Sequence, residues 1–253
     1  MSADLCVEAF GHVTVVEITR PPNNFFDTPL VTALADRIEA LDDDRVCRAI
    51  LLASRGKHFC AGANFNRDPD ERRFGGGALY QQCLRLFRTR KPIVAAVQGA
   101  AIGGGLGLAL AADFRIAAPA ARFAANFTMI GYHPGFGLTV TLPRLIGAQR
   151  AALLFATGRR VGGEEAVAMG LADRLGPEKD FRAAALDFAN EIAVAAPLAQ
   201  QATRATLRAG LVDAVTVALD VELAEQMALR ETADFAEGIA ASAERRPPRF
   251  TGR

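Results

Sequence analysis

Long apolar runs are missing from this chain of 253 residues. Stretches such as 92–97 are far shorter than the ~20 apolar residues a membrane helix needs, which excludes a helical membrane protein. The start, Met1 to Phe10, shows no basic segment followed by an apolar one, so no secretory leader is expected. An excess of one charge is missing too. The formal net charge is +1 and Lys and Arg are scattered, which excludes the basic stripe of a nucleic-acid-binding protein. The four cysteines, Cys6, Cys47, Cys60 and Cys83, are widely separated. They have neither metal-ligand spacing nor the density of a disulfide scaffold, so a reduced, cytoplasmic protein with no metal site is expected. What remains is 51% hydrophobic and 23% charged, the balance of an ordinary globular protein, long enough for one large domain or a domain with an appendage.

The pattern along the chain alternates strands with helices. Leu5–Phe10 and His12–Thr19 around Gly11 read as a β-hairpin. Asp27-Thr28-Pro29 offers a cap followed by proline. It opens a helix to about Leu41, with Leu30, Leu34, Ile38 and Leu41 at helical spacing. Arg48–Ala53 is a short apolar stretch and reads as a buried strand. The plan then repeats: a helix around Ala78–Phe87, a strand Pro92–Gln98, a helix from about Gly103 to Ala112 and a strand Asp113–Ala117. This predicts an α/β fold with parallel pairing, whose ligand sites lie at the carboxyl ends of the strands. Beyond Pro134 the signals are mostly helical and rich in alanine: Leu138–Ile146, Ala148–Ala156, Gly163–Met169, Asp180–Ala195, then three segments between Pro197 and Ala243. Asn66–Gly77, charged and closing on three glycines, reads as a mobile loop over the site, with Asp68, Asp70 and Glu71 able to swing across it.

Two glycine-marked loops carry the chemistry. The first is His58-Phe59-Cys60-Ala61-Gly62-Ala63-Asn64, and the second runs Gly99-Ala100-Ala101-Ile102-Gly103-Gly104-Gly105-Leu106-Gly107. Two segments of this kind can each direct a backbone N–H at one oxygen atom, as an oxyanion hole requires. The second also places unpaired N–H groups at a helix start, where the dipole favours negative charge. A glycine triplet alone equally suits a tight strand-to-helix turn. A dinucleotide site is excluded because no G-x-G-x-x-G fits, and a P-loop because the Gly-Lys-Ser/Thr ending is absent.

In order along nearly the whole chain, the motifs resemble the crotonase superfamily of enoyl-CoA hydratases and isomerases. They include 54–63 (Ser-Arg-Gly-Lys-His-Phe-Cys-Ala-Gly-Ala), 91–99 (Lys-Pro-Ile-Val-Ala-Ala-Val-Gln-Gly) with the triplet, and 113–117 (Asp-Phe-Arg-Ile-Ala). Also matching are 142–147, 157–160, 166–173 and the ending from Glu237-Gly238 to Pro248-Arg249-Phe250. The resemblance implies a spiral of ββα units, placed here at 1–195 and containing the site for a coenzyme A thioester. A helical assembly region at 196–253 follows, in a homotrimer or a dimer of trimers. It implies an acyl-CoA substrate, coenzyme A entering only as part of it, and no permanently bound cofactor. The oxyanion donors would be the N–H groups of Ala63 and Gly104, each donor of this kind contributing roughly 3 kcal/mol to the transition state. Arg20, the adjoining Pro21–Phe26 segment, Arg55, Lys57 and Ala61 fall where the family meets coenzyme A.

The chain departs from the hydratases at both catalytic glutamates, which align with Gly107 and Phe127. Residue 107 lies three after Gly104, on the same helix face as the donor. A glycine there is expected to leave room for a bulky acyl group, while Phe127 makes the opposite wall apolar. An acid or base must then come from elsewhere. His133, before a Pro-Gly turn, is the candidate, histidine being the side chain suited to acid–base work near neutral pH. Asn64, Asn66, Tyr80 and Tyr132 join it as pocket residues, and His58 is expected at the mouth or in solvent. Tyr80 stands where aryl-CoA dehalogenases carry a histidine, but their nucleophilic aspartate would fall at Gly135, which disfavours dehalogenation. Two readings remain: an enzyme working through a thioester enolate without the two-glutamate hydration route, or a catalytically silent CoA-ester binder or scaffold.

Overall fold

The computed structural model describes residues 4–64 and 69–253. The hairpin forms as expected: β1 (Leu5–Phe10) pairs antiparallel with β2 (Val13–Ile18), Leu5 opposite Ile18. Asp27 caps α1 (Thr28–Asp43), its carboxylate accepting the Leu30 N–H at 2.9 Å. Then come β3 (Ala49–Ser54), α2 (Pro69–Phe87), β4 (Ile93–Val97), β5 (Ala100–Ile102), α3 (Gly104–Ala111), β6 (Phe114–Ala117) and β7 (Arg122–Ala124). A single 3-10 turn at Thr128–Ile130 leads to α4 (Leu138–Ile146), α5 (Ala148–Thr157), β8 (Arg160–Gly162), α6 (Gly163–Ala168) and β9 (Arg174–Leu175). The chain finishes in α7 (Phe181–Ala193), α8 (Pro197–Leu207), α9 (Leu211–Leu229) and α10 (Ala233–Glu244).

Six strands form one sheet in the order β1-β2-β3-β4-β6-β9, parallel from β2 onward. Its central strands β3 and β4 are buried on both faces, and alternation sends successive residues to opposite sides. Ile50 and Leu52 join the main core with α1–α4, while Ala49, Leu51 and Ala53 pack with Val94, Ala96 and Ile116 under Phe188 and Ala189 of α7. A second sheet, β5-β7-β8, stands beyond the first. Leu211, Val215 and Leu219 tie α9 into the main core, so the C-terminal helices pack against the rest of the chain. Among the described residues no helix is long and apolar enough to cross a membrane.

One expectation is corrected here. Residues 69–77, read as part of a loop, begin α2, which therefore starts nine residues before the expected Ala78. Helix-forming residues on either side carry the glycine triplet into helical conformation. The readings at Asn66 and Asp68 lie outside the described residues.

Candidate active site

The two glycine loops meet because each extends a strand pairing. Cys60 bridges Ala101 in parallel, with Cys60 N donating to Ala100 O (2.9 Å) and Ile102 N donating to Cys60 O (3.1 Å). Gly105 is obligatory at this crossing, since a Cβ there would lie 2.1 Å from the Cys60 carbonyl oxygen. On the other side Phe26 bridges Ala63, its N–H donating to Gly62 O at 3.1 Å. Among the described residues the amides of Ala63 and Gly104 donate to no carbonyl. At Gly104 this follows from its place in the first turn of α3, where N–H groups have no intrahelical partner.

Around the loops lies a cavity of about 790 Å³, large enough for a substantial ligand. Of the residues expected at the site, Ala61, Ala63, Asn64, Tyr80, Gly104, Phe127 and Tyr132 line it. Phe25, Phe26, Ile130, Phe136, Phe235 and Ile239 add apolar wall, so half of the lining residues are aromatic or aliphatic.

Gly107 does not line the cavity. The room it was expected to leave is filled by Phe136: a Cβ at residue 107 would stand 2.5 Å from the Phe136 Cβ and 2.7 Å from its Cγ. Phe136 is 1% exposed, adopts a left-handed φ of 63°, and meets the Phe26 ring edge to face at 5.8 Å between centroids. A left-handed backbone is uncommon for a bulky residue and aims this ring back against α3. Residue 107 therefore has no room for a larger side chain while Phe136 stands there.

His133 is likewise not among the cavity's lining residues. Its Nδ1–H donates to the Pro134 carbonyl at 2.8 Å, and its own carbonyl accepts from Gln226 Nε2 at 2.9 Å. The groups that do face the cavity here are Tyr80 and Gln226, joined by a 2.8 Å bond from the Tyr80 hydroxyl to Gln226 Oε1. Burial pushes the Tyr80 hydroxyl well above its ordinary pKa, with the Glu222 carboxylate adding to the shift, so it stays protonated at neutral pH. Glu222 itself is fully buried and turned away from the cavity, accepting from Gly137 N (2.8 Å), Thr139 N (3.0 Å) and Thr139 Oγ1 (2.6 Å). It thereby caps α4 and fixes the turn that presents Phe136. Burial raises its pKa, and the bonds from Thr139 and Gly137 offset part of that rise. Glu222 and Gln226 escaped notice in the sequence, although they continue the helical stripe Leu211–Val215–Leu219.

The cations expected to meet coenzyme A are not part of this cavity. Arg20 is committed to Asp4 (2.7 Å) and Asp27 (2.8 Å), which raise its pKa further. Arg55 pairs with Glu17 at 3.3 Å, and Lys57 is exposed. His58 is half-buried and does not line the cavity; its Nδ1 accepts the Ala100 N–H (3.3 Å) and helps join the two loops. Burial and then neighbouring Lys57 lower its pKa, in keeping with a neutral ring that accepts. Asn24, also missed, is buried and clamps the same region by donating to Arg55 O (2.9 Å) and His58 O (2.7 Å). Burial pushes the Cys60 thiol up to about 12, so it is no nucleophile at neutral pH. The cavity's cations are instead Arg160, Arg230 and Arg245.

Comparison with known proteins identifies the family. Residues 8–253 match the family model described as enoyl-CoA hydratase/isomerase. A crotonyl-CoA hydratase of Syntrophomonas wolfei is 31% identical over 254 residues, spanning 98% of this chain and 97% of its own. An (E)-benzylidenesuccinyl-CoA hydratase of Thauera aromatica is 32% identical over 261 residues, covering 97% and 98%. The solved enoyl-CoA hydratase/isomerase of Pseudoalteromonas atlantica T6c superposes with a TM-score of 0.87 at 30% identity, covering 98% of this chain and all of that one. Its fold is the crotonase-like spiral with a helical C-terminal region that the sequence implied. With a match over nearly its full length and these relatives, the chain belongs to the enoyl-CoA hydratase/isomerase family.

Proposed function

We propose that the cavity binds an acyl-CoA thioester with its carbonyl oxygen on the N–H groups of Ala63 and Gly104, and that these hold the charge of a thioester enolate. The observation that carries this reading is the pair of unpartnered amides on two interlocked loops, opening into an apolar cavity. Donors fixed before the reaction need no reorganisation as charge develops on the oxygen. Hydration through paired carboxylates is not the chemistry proposed, because Phe136 fills the space at Gly107 and Phe127 is apolar wall. The reactions that use the same hole are a double-bond shift, decarboxylation and carbon–carbon cleavage of a β-oxo acyl chain. In decarboxylation the breaking bond supplies the electron pair of the enolate, so no carboxylate base is required. An apolar wall beside the leaving group favours neutral CO₂ over the anion it comes from.

The second reading, a silent CoA-ester binder, is favoured by one observation: the Tyr80 hydroxyl is already bonded to Gln226. Assembly into a homotrimer or a dimer of trimers is proposed with either reading, covering exposed Leu198, Leu207, Val217 and Val221 on α8 and α9. The two readings separate in one assay series with crotonyl-CoA, a pair of enoyl isomers and malonyl-type thioesters. The expected result is no detectable hydration of crotonyl-CoA, with turnover of an isomer or release of CO₂. Efficient hydration would contradict the proposal, and tight binding with no turnover on any ester would select the silent binder.

A further inference from the structure

The three arginines that line the cavity are not those that the resemblance associates with coenzyme A. Ile102, Ala124 and Arg160 are direct lateral neighbours across β5, β7 and β8. Directly paired residues share a sheet face, so Arg160 extends from the same face as Ile102, itself part of the cavity lining. At about 4.8 Å between strands, the Arg160 Cα stands roughly 10 Å from that of Ile102, two residues before the Gly104 donor. The preceding Arg159 is held by Glu165 in a two-pronged pair of 2.6 and 3.1 Å, whereas Arg160 meets no carboxylate among the described residues. Arg230 is fixed in the wall, its Nε donating to the Tyr132 hydroxyl at 2.7 Å and its guanidinium 5.7 Å from that ring. Arg245, at the end of α10, completes the group. Among the described residues the lining has two carboxylates, Asp27 and Glu231, and Asp27 is committed to capping α1 and to Arg20.

Guanidinium groups at the edge of an apolar cavity select a planar anion through charge-assisted, often two-pronged hydrogen bonds. The N–H groups of Ala63 and Gly104 are carried by the two glycine loops, and the arginines by β8 and the ends of α9 and α10. We propose that the acyl chain carries a carboxylate at its far end, held by Arg160 with Arg245, so that the substrate is the mono-CoA thioester of a dicarboxylic acid. The assignment rests on the acyl-CoA reading above. The other source of the same anion chemistry is a phosphate of coenzyme A itself, and the two sources give different results.

The test measures binding of matched esters to the full chain by calorimetry: glutaryl-CoA against pentanoyl-CoA, adipoyl-CoA against hexanoyl-CoA, and free coenzyme A. The wild type is expected to bind at least one diacid ester about tenfold or more tighter than its matched monoacid ester. Arg160→Met is expected to abolish that preference while pentanoyl-CoA and coenzyme A keep their affinities, which also reports that the variant is folded. Arg245→Met is expected to reduce the preference in the same sense. Equal affinity for both members of each pair in the wild type would overturn the proposal and leave the acyl-CoA reading standing. Weakening of coenzyme A and of every ester alike in Arg160→Met would assign the arginines to a phosphate and overturn the carboxylate. Binding of no ester at all would overturn the acyl-CoA reading and this proposal with it.

Discussion

Gly107→Ala is expected to destabilise the fold by about 1–3 kcal/mol, the usual range for overpacking a filled core. In an open helix the same change would stabilise by about 1 kcal/mol, because glycine is the poorer helix former. The sign is decided by Phe136, whose Cβ and Cγ stand 2.5 and 2.7 Å from where the new methyl carbon would be. Neither partner can yield easily. Gly107 lies in the middle of α3, every residue of which is buried, and Phe136 is held by its neighbours Phe26 and the α4 turn capped by Glu222. Phe136→Ala alone is expected to cost about 3–5 kcal/mol for the lost packing. In the double variant the clash is gone, so the two losses should fail to add, leaving a coupling of about 1–3 kcal/mol. Urea unfolding of the four proteins measures it. Additive losses would mean that Phe136 does not occupy the space beside Gly107.

Ala63→Pro is expected to lower turnover about 10²–10³-fold, the loss that follows removal of one oxyanion donor. Proline deletes the N–H and leaves the rest of the residue close in size to alanine. The bond from the Phe26 N–H survives, because it uses the carbonyl of Gly62 and not the amide of Ala63. The effect should therefore fall on kcat, with the thermal midpoint and the affinity for a CoA ester little changed. The check is steady-state kinetics on whichever ester turns over, with melting as the control. An unchanged kcat in a folded protein would remove Ala63 from the mechanism.

The fold was largely legible in the sequence wherever one element carries its own pattern. Asp27-Thr28-Pro29 announced α1, and the helices after Pro134 lie within a residue or two of where their apolar spacing put them. The second sheet was not legible. Three-residue strands such as β5, β7 and β8 are too short to show a period, and they exist because the loops around them pair. At the site, the loops bearing Ala63 and Gly104 could be read because glycine spacing is local. The filling of the Gly107 vacancy could not, since it depends on the left-handed backbone of Phe136, which no neighbouring residue type dictates. His133 looked suited to acid–base work by its chemistry alone, but its ring is turned to the Pro134 carbonyl. Arg160, Arg230 and Arg245 were passed over because segments far apart in sequence bring them to one cavity. Glu222 and Gln226 had a readable signal, polar residues on an otherwise apolar helical stripe, and Glu222 marks the joint that holds the Phe136 turn.

The central claim is that the amides of Ala63 and Gly104 polarise a thioester carbonyl. Infrared difference spectroscopy of a carbonyl-labelled acyl-CoA bound to the protein reads that polarisation directly. The account predicts that the thioester C=O stretch moves to lower frequency than in water when the ester binds, and that Ala63→Pro reverses part of this shift while still binding the ester. A bound ester whose carbonyl stretch stays at its solution frequency in the wild type would contradict the account.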